Sequence, residues 1–203
     1  MLARTPEGLT HPQAASVPVV AVTAWQMLFD YAKVEKGDRV LIHGAGGNVG
    51  AYAVQLARRA GLYVVATTGS EDLAYVRSLG ADLVLDFRAT RFEDTVREVD
   101  AVIDTVGGDT RDRSIGVVRR GGVLVTSVSP PPPAPERPDV RQIFFLVEVT
   151  TARLDDLAEL FRRGELSTRV GSVLPLVSAR IAHDMLAGVP HERGKIVLDM
   201  TTH

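Results

Sequence analysis

Short apolar runs alternate with amphipathic stretches along much of this chain. Residues 39–43 (RVLIH), 63–67 (YVVAT), 82–86 (DLVLD), 100–105 (DAVIDT) and 122–128 (GVLVTSV) each predict a strand. These runs are largely apolar, without strict alternation, as strands covered on both faces of a parallel sheet read. Between them, residues 48–60 place Val49, Ala53, Leu56 and Ala60 on one face of a helix, and residues 71–79 and 109–119 predict two more. Gly61 and Gly80 follow the first two, where a left-handed glycine ends a helix. Strand and helix taking turns predict the α/β class, as a doubly wound parallel sheet with right-handed crossovers.

The rest of the chain departs from that rhythm. Residues 1–18 carry Pro6, Gly8, Pro12 and Pro18 and read as a connector. Residues 19–33 predict a mostly apolar helix. The run Pro130–Pro133 can be neither helix nor central strand, so it reads as a loop leaving the sheet. Ile143–Val149 (IFFLVEV) predicts a further strand, apolar and free of Pro and Gly, at the edge of the sheet. Residues 152–163 predict a helix, and the tail a strand at 170–176, a helix at 178–187 and a strand at 195–200. The expected organisation is a linker remnant at 1–18, a nucleotide-binding domain at 19–164 and a tail at 165–203.

Composition removes several chemistries. The 203 residues, 45% hydrophobic and 24% charged, suit a globular domain with its own core. A net charge of −2 leaves no basic excess to neutralise a phosphate backbone, so nucleic acid is not an expected partner. With no Cys there is no disulfide, thiol nucleophile or cysteine-ligated zinc. The five His are scattered, and no metal site is expected. No apolar run is long enough for a membrane span and no basic leader precedes one, so the cytoplasm is the expected location.

The glycines after the first strand carry the chemistry. Gly44, Gly47 and Gly50 recur every third residue, with Gly46 between, and the following helix opens at Asn48 and Val49. A pyrophosphate needs N–H donors, close approach and positive potential. Glycines remove the Cβ obstruction, and a helix N-terminus supplies the other two. Strand, glycine turn, helix and second strand in that order form the dinucleotide fingerprint of a Rossmann fold. A tight turn holding no ligand is the plainer reading of the glycines alone. The second strand ends Ala66-Thr67-Thr68-Gly69-Ser70, without the carboxylate that usually holds the ribose 2′-hydroxyl of NAD. Small hydroxyls there leave room for a 2′-phosphate, which favours NADP over NAD. Against this, Glu71 and Asp72 come next, and no Lys or Arg is nearer in sequence than Arg77. Ser70 also fits a plain helix N-cap.

Several segments together resemble the medium-chain dehydrogenase/reductase superfamily. LARTPEGLTHPQAASVPVVAVTAWQML is similar to the family's interdomain segment, and RVLIHGAGGNVGAYAVQLARRAGLYVVAT to its cofactor-binding start. SLGADLVLDF, VDAVIDTVGG, RRGGVLVTS, GELSTRVGSVLPL and RGKIVLDM resemble later landmarks in the same order. TAWQML and GAGGNVG look more like zinc-independent quinone oxidoreductases than like zinc alcohol dehydrogenases. The resemblance implies hydride transfer from NADPH to a small-molecule quinone, enone or carbonyl. It implies that Gly47 and Gly50, with the backbone at Asn48 and Val49, hold the pyrophosphate, and that Thr67, Thr68 and Ser70 surround the adenosine ribose. It places Thr105 and Val106 on the cofactor and Ser127 and Val128 near the nicotinamide. Family members begin with a barrel-like catalytic domain and often pair edge strands into a homodimer. The first residues here match the interdomain segment, so that domain is expected to be missing, and the closing strands from about Glu165 to lack their usual neighbour.

Other polar residues have plainer readings. Trp25 suits core packing, His43 a hydrogen-bonded histidine beside the turn, and Asp104 a loop anchor. Lys195 suits a surface position as well as an anion contact. No nucleophile–base–orienter set appears, which fits a reaction whose chemistry the cofactor carries. The rivals are a binding module that holds NADP(H) without turnover, a zinc-type alcohol dehydrogenase cofactor domain and a methyltransferase. The last expects an acid at the end of the second strand, where Thr67 and Thr68 stand.

Overall fold

The computed structural model describes residues 3–201. They fall into two compact units, Thr23–Glu148 and the chain on either side of it. The first is built on strands β1 (Arg39–His43), β2 (Tyr63–Thr68), β3 (Leu83–Asp86), β4 (Val99–Asp104), β5 (Val118–Thr126) and β6 (Arg141–Phe144). All pair in parallel, in the order β3-β2-β1-β4-β5-β6. This is the doubly wound Rossmann order, with the reversal of winding between β1 and β4.

Among the described residues the helices are α1 (His11–Ala15), α2 (Pro18–Trp25), α3 (Asn48–Arg59), α4 (Leu73–Ser78), α5 (Phe92–Thr95), α6 (Gly108–Ser114), α7 (Thr151–Arg162) and α8 (Ala179–Leu186). Alternation along each strand sends Leu41, Val65, Val102 and Leu124 to one face, where they pack with Phe92, Ile115 and Val117. Val40, Ile42, Val64, Ile103 and Val125 take the other face and are equally inaccessible. There α3 lies against β1 and β2. Burial on both faces explains the continuous apolar runs, and each such side chain contributes about 1.5–3 kcal/mol.

Several elements differ from expectation. The single helix expected at 19–33 starts at Pro18, the position that tolerates a missing N–H, and passes into a π-helix, Gln26–Ala32, that lies against β4 and β5. Lys33 closes it in the left-handed region at φ 56°, its N–H donating to the Leu28 carbonyl. The helix expected to reach 119 stops at Ser114, and a single 3₁₀ turn leads into β5, because Ile115, Val117 and Val118 suit a buried strand approach. A four-residue helix, α5, fills the polar stretch after β3.

The edge strand covers Arg141–Phe144, not 143–149. Beyond it the Gln26 side-chain amide accepts from the Glu148 N–H at 3.2 Å and donates to the Glu148 carbonyl at 3.0 Å. A side chain thus pairs both backbone polar groups of Glu148. Phe145 turns inward against Tyr31, with ring centroids 4.4 Å apart, whereas Leu146 is 78% exposed.

In the other unit β7 (Val170–Pro175) and β8 (Lys195–Asp199) pair in parallel, and α1 lies against both. α1 falls within the expected connector. Thr10 and Gln13 form a reciprocal capping box at its start, with Pro12 inside the first turn. The Ser16 and Thr168 hydroxyls, 2.7 Å apart, tie its end to the segment before β7.

Candidate functional site

Strand register brings the sequence-predicted residues to one edge. His43 pairs with Thr67 and with Asp104, and Asp104 with Thr126. The chain therefore leaves β1, β2, β4 and β5 at one level, at the carboxyl ends of the strands beside the reversal of winding. Open α/β sheets bind ligands there.

Each glycine of the turn has a different task. Gly44 has φ +70°, and a Cβ on it would overlap the Thr105 hydroxyl, so it lets the loop after β4 close onto the turn. A Cβ on Gly46 would lie 2.6 Å from Thr68 Oγ1 and 2.7 Å from Asp72 Oδ2. On Gly50 it would overlap the Gly44 carbonyl oxygen. Gly47 is different: an added Cβ meets only the Gly44 carbonyl, at 3.2 Å, and both Gly47 and Asn48 are exposed. Gly47 caps α3, whose first-turn N–H groups at Asn48, Val49 and Gly50 have no acceptor within the helix. Three glycines thus serve the turn's own packing, and the fourth faces an open surface of unsatisfied donors. That cradle fits a pyrophosphate.

The turn rests on buried polar groups. His43 is fully buried and bonded at both ring nitrogens, Nδ1 to Thr67 Oγ1 and Nε2 to Ser114 Oγ, each at 2.8 Å. Ser114 donates its own proton to the Thr110 carbonyl at 2.6 Å, so it accepts from Nε2–H, and Nδ1 accepts from the Thr67 hydroxyl. Burial pushes the His43 imidazole down to about 4, against the opposing pull of Asp104. The Thr67 carbonyl accepts from the Ala45 N–H at 3.0 Å. Asp104 is fully buried and anchors the loop after β4: Oδ1 accepts from the N–H of Val106 and Gly107, and Oδ2 from the Thr126 hydroxyl. Thr105 donates to the His43 carbonyl at 2.7 Å.

Of the three hydroxyls expected around the ribose, Thr67 and Thr68 are buried and Ser70 is exposed. The Ser70 hydroxyl donates to Glu71 rather than capping a helix. Val106 and Val128 stand exposed at the ends of β4 and β5, with Ser127 half-buried beside them. Arg111, not anticipated from sequence, is buried and donates from Nη1 to the Ser129 carbonyl and hydroxyl and to the Pro130 carbonyl. It fixes the loop after β5 and the start of the proline run. Arg88, also not anticipated, forms a bidentate pair with Glu71 at the end of β2. A cation therefore does stand at this strand end, although none is near it in sequence.

Among the described residues no three His, Asp or Glu side chains gather as a metal site, and no helix is long and apolar enough to cross a membrane.

Comparison with known proteins gives a consistent set of relatives. A family model described as zinc-binding dehydrogenase matches residues 79–198. A probable zinc-binding mitochondrial oxidoreductase of Arthroderma benhamiae is 36% identical over 97% of this chain and 65% of its own length. A mitochondrial NAD(P)H oxidoreductase of Mus musculus is 37% identical over 62% of this chain and 34% of its own. The solved quinone oxidoreductase of Coxiella burnetii superposes with a TM-score of 0.85 and 31% identity, over 96% of this chain and 62% of that one. The chain thus spans less than two thirds of the length of these relatives. The zinc in the family's description has no ligand set among the described residues.

Proposed function

The chain belongs to the zinc-binding dehydrogenase family of the medium-chain dehydrogenase/reductase superfamily, and on that premise we propose that its glycine-turn sheet is the NADPH-binding domain of a reductase for quinones, enones or related carbonyls. One observation carries the reading. An open cradle of helix N–H donors stands at the switch point of an all-parallel sheet, with the loops after β2, β4 and β5 at the same level. Gly47, Asn48 and Val49 would hold the pyrophosphate, and Val106, Ser127 and Val128 would border the nicotinamide. Bound there, the nicotinamide supplies the hydride. Asp104 and Arg111 hold the two loops that would flank it, and the exposed Val106 and Val128 would offer it an apolar wall against water.

Titration of the chain should show NADPH binding about tenfold more tightly than NADH, a difference of about 1.4 kcal/mol. Equal or reversed affinities would remove the NADP assignment. A binding module that holds NADP(H) without turnover is the second reading. Turnover by the chain alone, measured beside cofactor affinity, separates the two. A cytoplasmic location belongs to the first reading, and fractionation tests it against the mitochondrial naming of two relatives.

The same reading includes a homodimer through the free edge of β6, since an unpaired edge strand invites a partner strand. Light scattering should give twice the 21.9 kDa chain mass. Because Phe145 is buried within its own unit, the residue to change is the exposed Leu146. Leu146→Lys should weaken the dimer about tenfold. A mass of one chain at high concentration, or a variant dimer as tight as wild type, removes the proposed seam.

A further inference from the structure

We propose that Glu71 and Arg88 form the discriminator for the cofactor's 2′-phosphate: Arg88 takes the phosphate, and Glu71 occupies Arg88 until a phosphate displaces it. The inference rests on the dinucleotide reading of the glycine turn.

Register explains how Arg88 arrives. β3 pairs with β2 so that Asp86 lies opposite Thr68, and the Phe87 N–H donates to the Thr68 carbonyl at 3.1 Å. Phe87 and Arg88 therefore leave the sheet beside Gly69. The Asp86 carboxylate accepts from the Arg88 N–H at 2.9 Å, and the guanidinium lies over the Phe87 ring, 4.9 Å from its centroid. Arg88 thus has two supports that do not involve Glu71. Its Nη1 and Nη2 reach Glu71 Oε2 and Oε1 at 2.7 and 3.3 Å. A Cβ built on Gly69 would lie 2.9 Å from Arg88 Nη1 and 2.7 Å from Glu71 Oε2. The pair therefore sits over Gly69, the residue that follows β2, where Rossmann sites read the ribose 2′ position.

Charge decides what can separate the pair. A phosphate monoester carries close to two negative charges and three acceptor oxygens, and it matches the guanidinium fork at least as well as a carboxylate does. A 2′-hydroxyl is neutral and has no means of displacing Glu71. Both partners are accessible, with side chains 56% and 37% exposed, so Glu71 can swing into solvent without unfolding anything. Hydrogen bonding to Arg88 holds the Glu71 carboxyl down at about 2, so an incoming anion, and not a proton, releases the guanidinium. Glu71 is then a built-in competitor that limits NADPH affinity.

The test is calorimetric titration of wild type, Arg88→Gln and Glu71→Gln with NADPH and with NADH. Arg88→Gln should weaken NADPH about tenfold and leave NADH unchanged, and Glu71→Gln should strengthen NADPH about threefold to tenfold. An exposed pair adds little stability, so both variants should melt with wild type. If Glu71→Gln weakens NADH while Arg88→Gln changes nothing, the carboxylate reads a hydroxyl and the proposal is overturned. Unchanged NADPH affinity in both variants, with binding still lost in Gly47→Val, overturns the pair but leaves the glycine turn standing. Wild type binding neither dinucleotide overturns the turn and the pair together.

Discussion

Gly47→Val is expected to lower the affinity for both NADPH and NADH by about a hundredfold or more while the protein stays folded. The backbone at Gly47 has φ −80°, a conformation any residue adopts. An added Cβ meets only the Gly44 carbonyl, at 3.2 Å, which must yield by a few tenths of an ångström. Loss of a glycine N-cap costs about 1 kcal/mol, a modest drop in melting temperature. The branched side chain would instead fill the space in front of the Asn48 and Val49 N–H groups, where a pyrophosphate must approach. Gly50→Val gives the contrast. Its Cβ would overlap the Gly44 carbonyl oxygen and lie 2.7 Å from the Gly44 carbonyl carbon and 2.8 Å from Ala45 Cα. All of this is backbone, which cannot rotate away, so destabilisation of about 3 kcal/mol or more is expected. Thermal melts beside binding titrations decide. A Gly47→Val protein that binds NADPH like wild type, or that melts as early as Gly50→Val, would show that the open side of the turn is not a phosphate cradle.

The two glycines also show how far the sequence was legible. Their spacing located the turn, but not which of them face each other and which face outward, because that depends on how the loop after β4 closes over Gly44. The strands β1 to β5 were legible because a strand covered on both faces has no polar side to obscure it. The ends of β1 to β4 shifted by at most one residue, whereas β5 ends at Thr126 rather than 128 and starts at Val118, a start hidden by Arg119 and Arg120. The π-helix was not legible: residues 19–33 are mostly apolar, so no amphipathic period marks where the winding changes. Residues 10–13 (THPQ) do carry the signal for α1, a Thr–Gln capping box, but the surrounding prolines read as loop punctuation. For the run 143–149 the lack of alternation concealed that Phe145 points inward and Leu146 outward. Arg88 lies 19 residues after Gly69, and only the parallel register of β2 and β3 places them together. Proximity of that kind comes from topology rather than spacing, which is why the cation at the end of β2 was missed.

Stability should fall as the pH drops from 6.5 toward 4, by about 3 kcal/mol in total, through His43 alone. In the folded chain burial holds its imidazole neutral down to about 4, whereas in the unfolded chain it protonates at its ordinary value of 6.5. Between those two values the unfolded state binds a proton that the native state refuses, so acid favours unfolding. Above 6.5 both states are neutral and the contribution is complete. The loss is a substantial fraction of the roughly 5–15 kcal/mol that stabilises a domain. Burial is the main reason that the native state refuses the proton, and the ring has no spare partner to offset it, since both nitrogens are already in use. Nε2–H donates to Ser114, whose own proton is committed to the Thr110 carbonyl, and the Nδ1 lone pair receives the Thr67 hydroxyl. A second ring proton would face the Thr67 hydroxyl, which would then have to turn its own proton elsewhere in a site with 4% exposure. The Phe92 ring packs against the imidazole with centroids 4.7 Å apart, and the Arg113 guanidinium over that ring opposes a further positive charge. Denaturant titrations between pH 7 and 5.5 read this contribution cleanly, because ordinary carboxylates remain ionised in both states there. The slope should steepen toward about 1.4 kcal/mol per pH unit as the pH falls below 6.5. Ring-nitrogen resonances should show His43 as the neutral Nε2–H tautomer throughout that range. A His43 that titrates near 6.5 in the folded protein, or a stability that is flat across the range, would refute the buried neutral imidazole. Because Thr67 also holds the Ala45 N–H, protonation of His43 would loosen the base of the glycine turn, and dinucleotide affinity should decline over the same acid range.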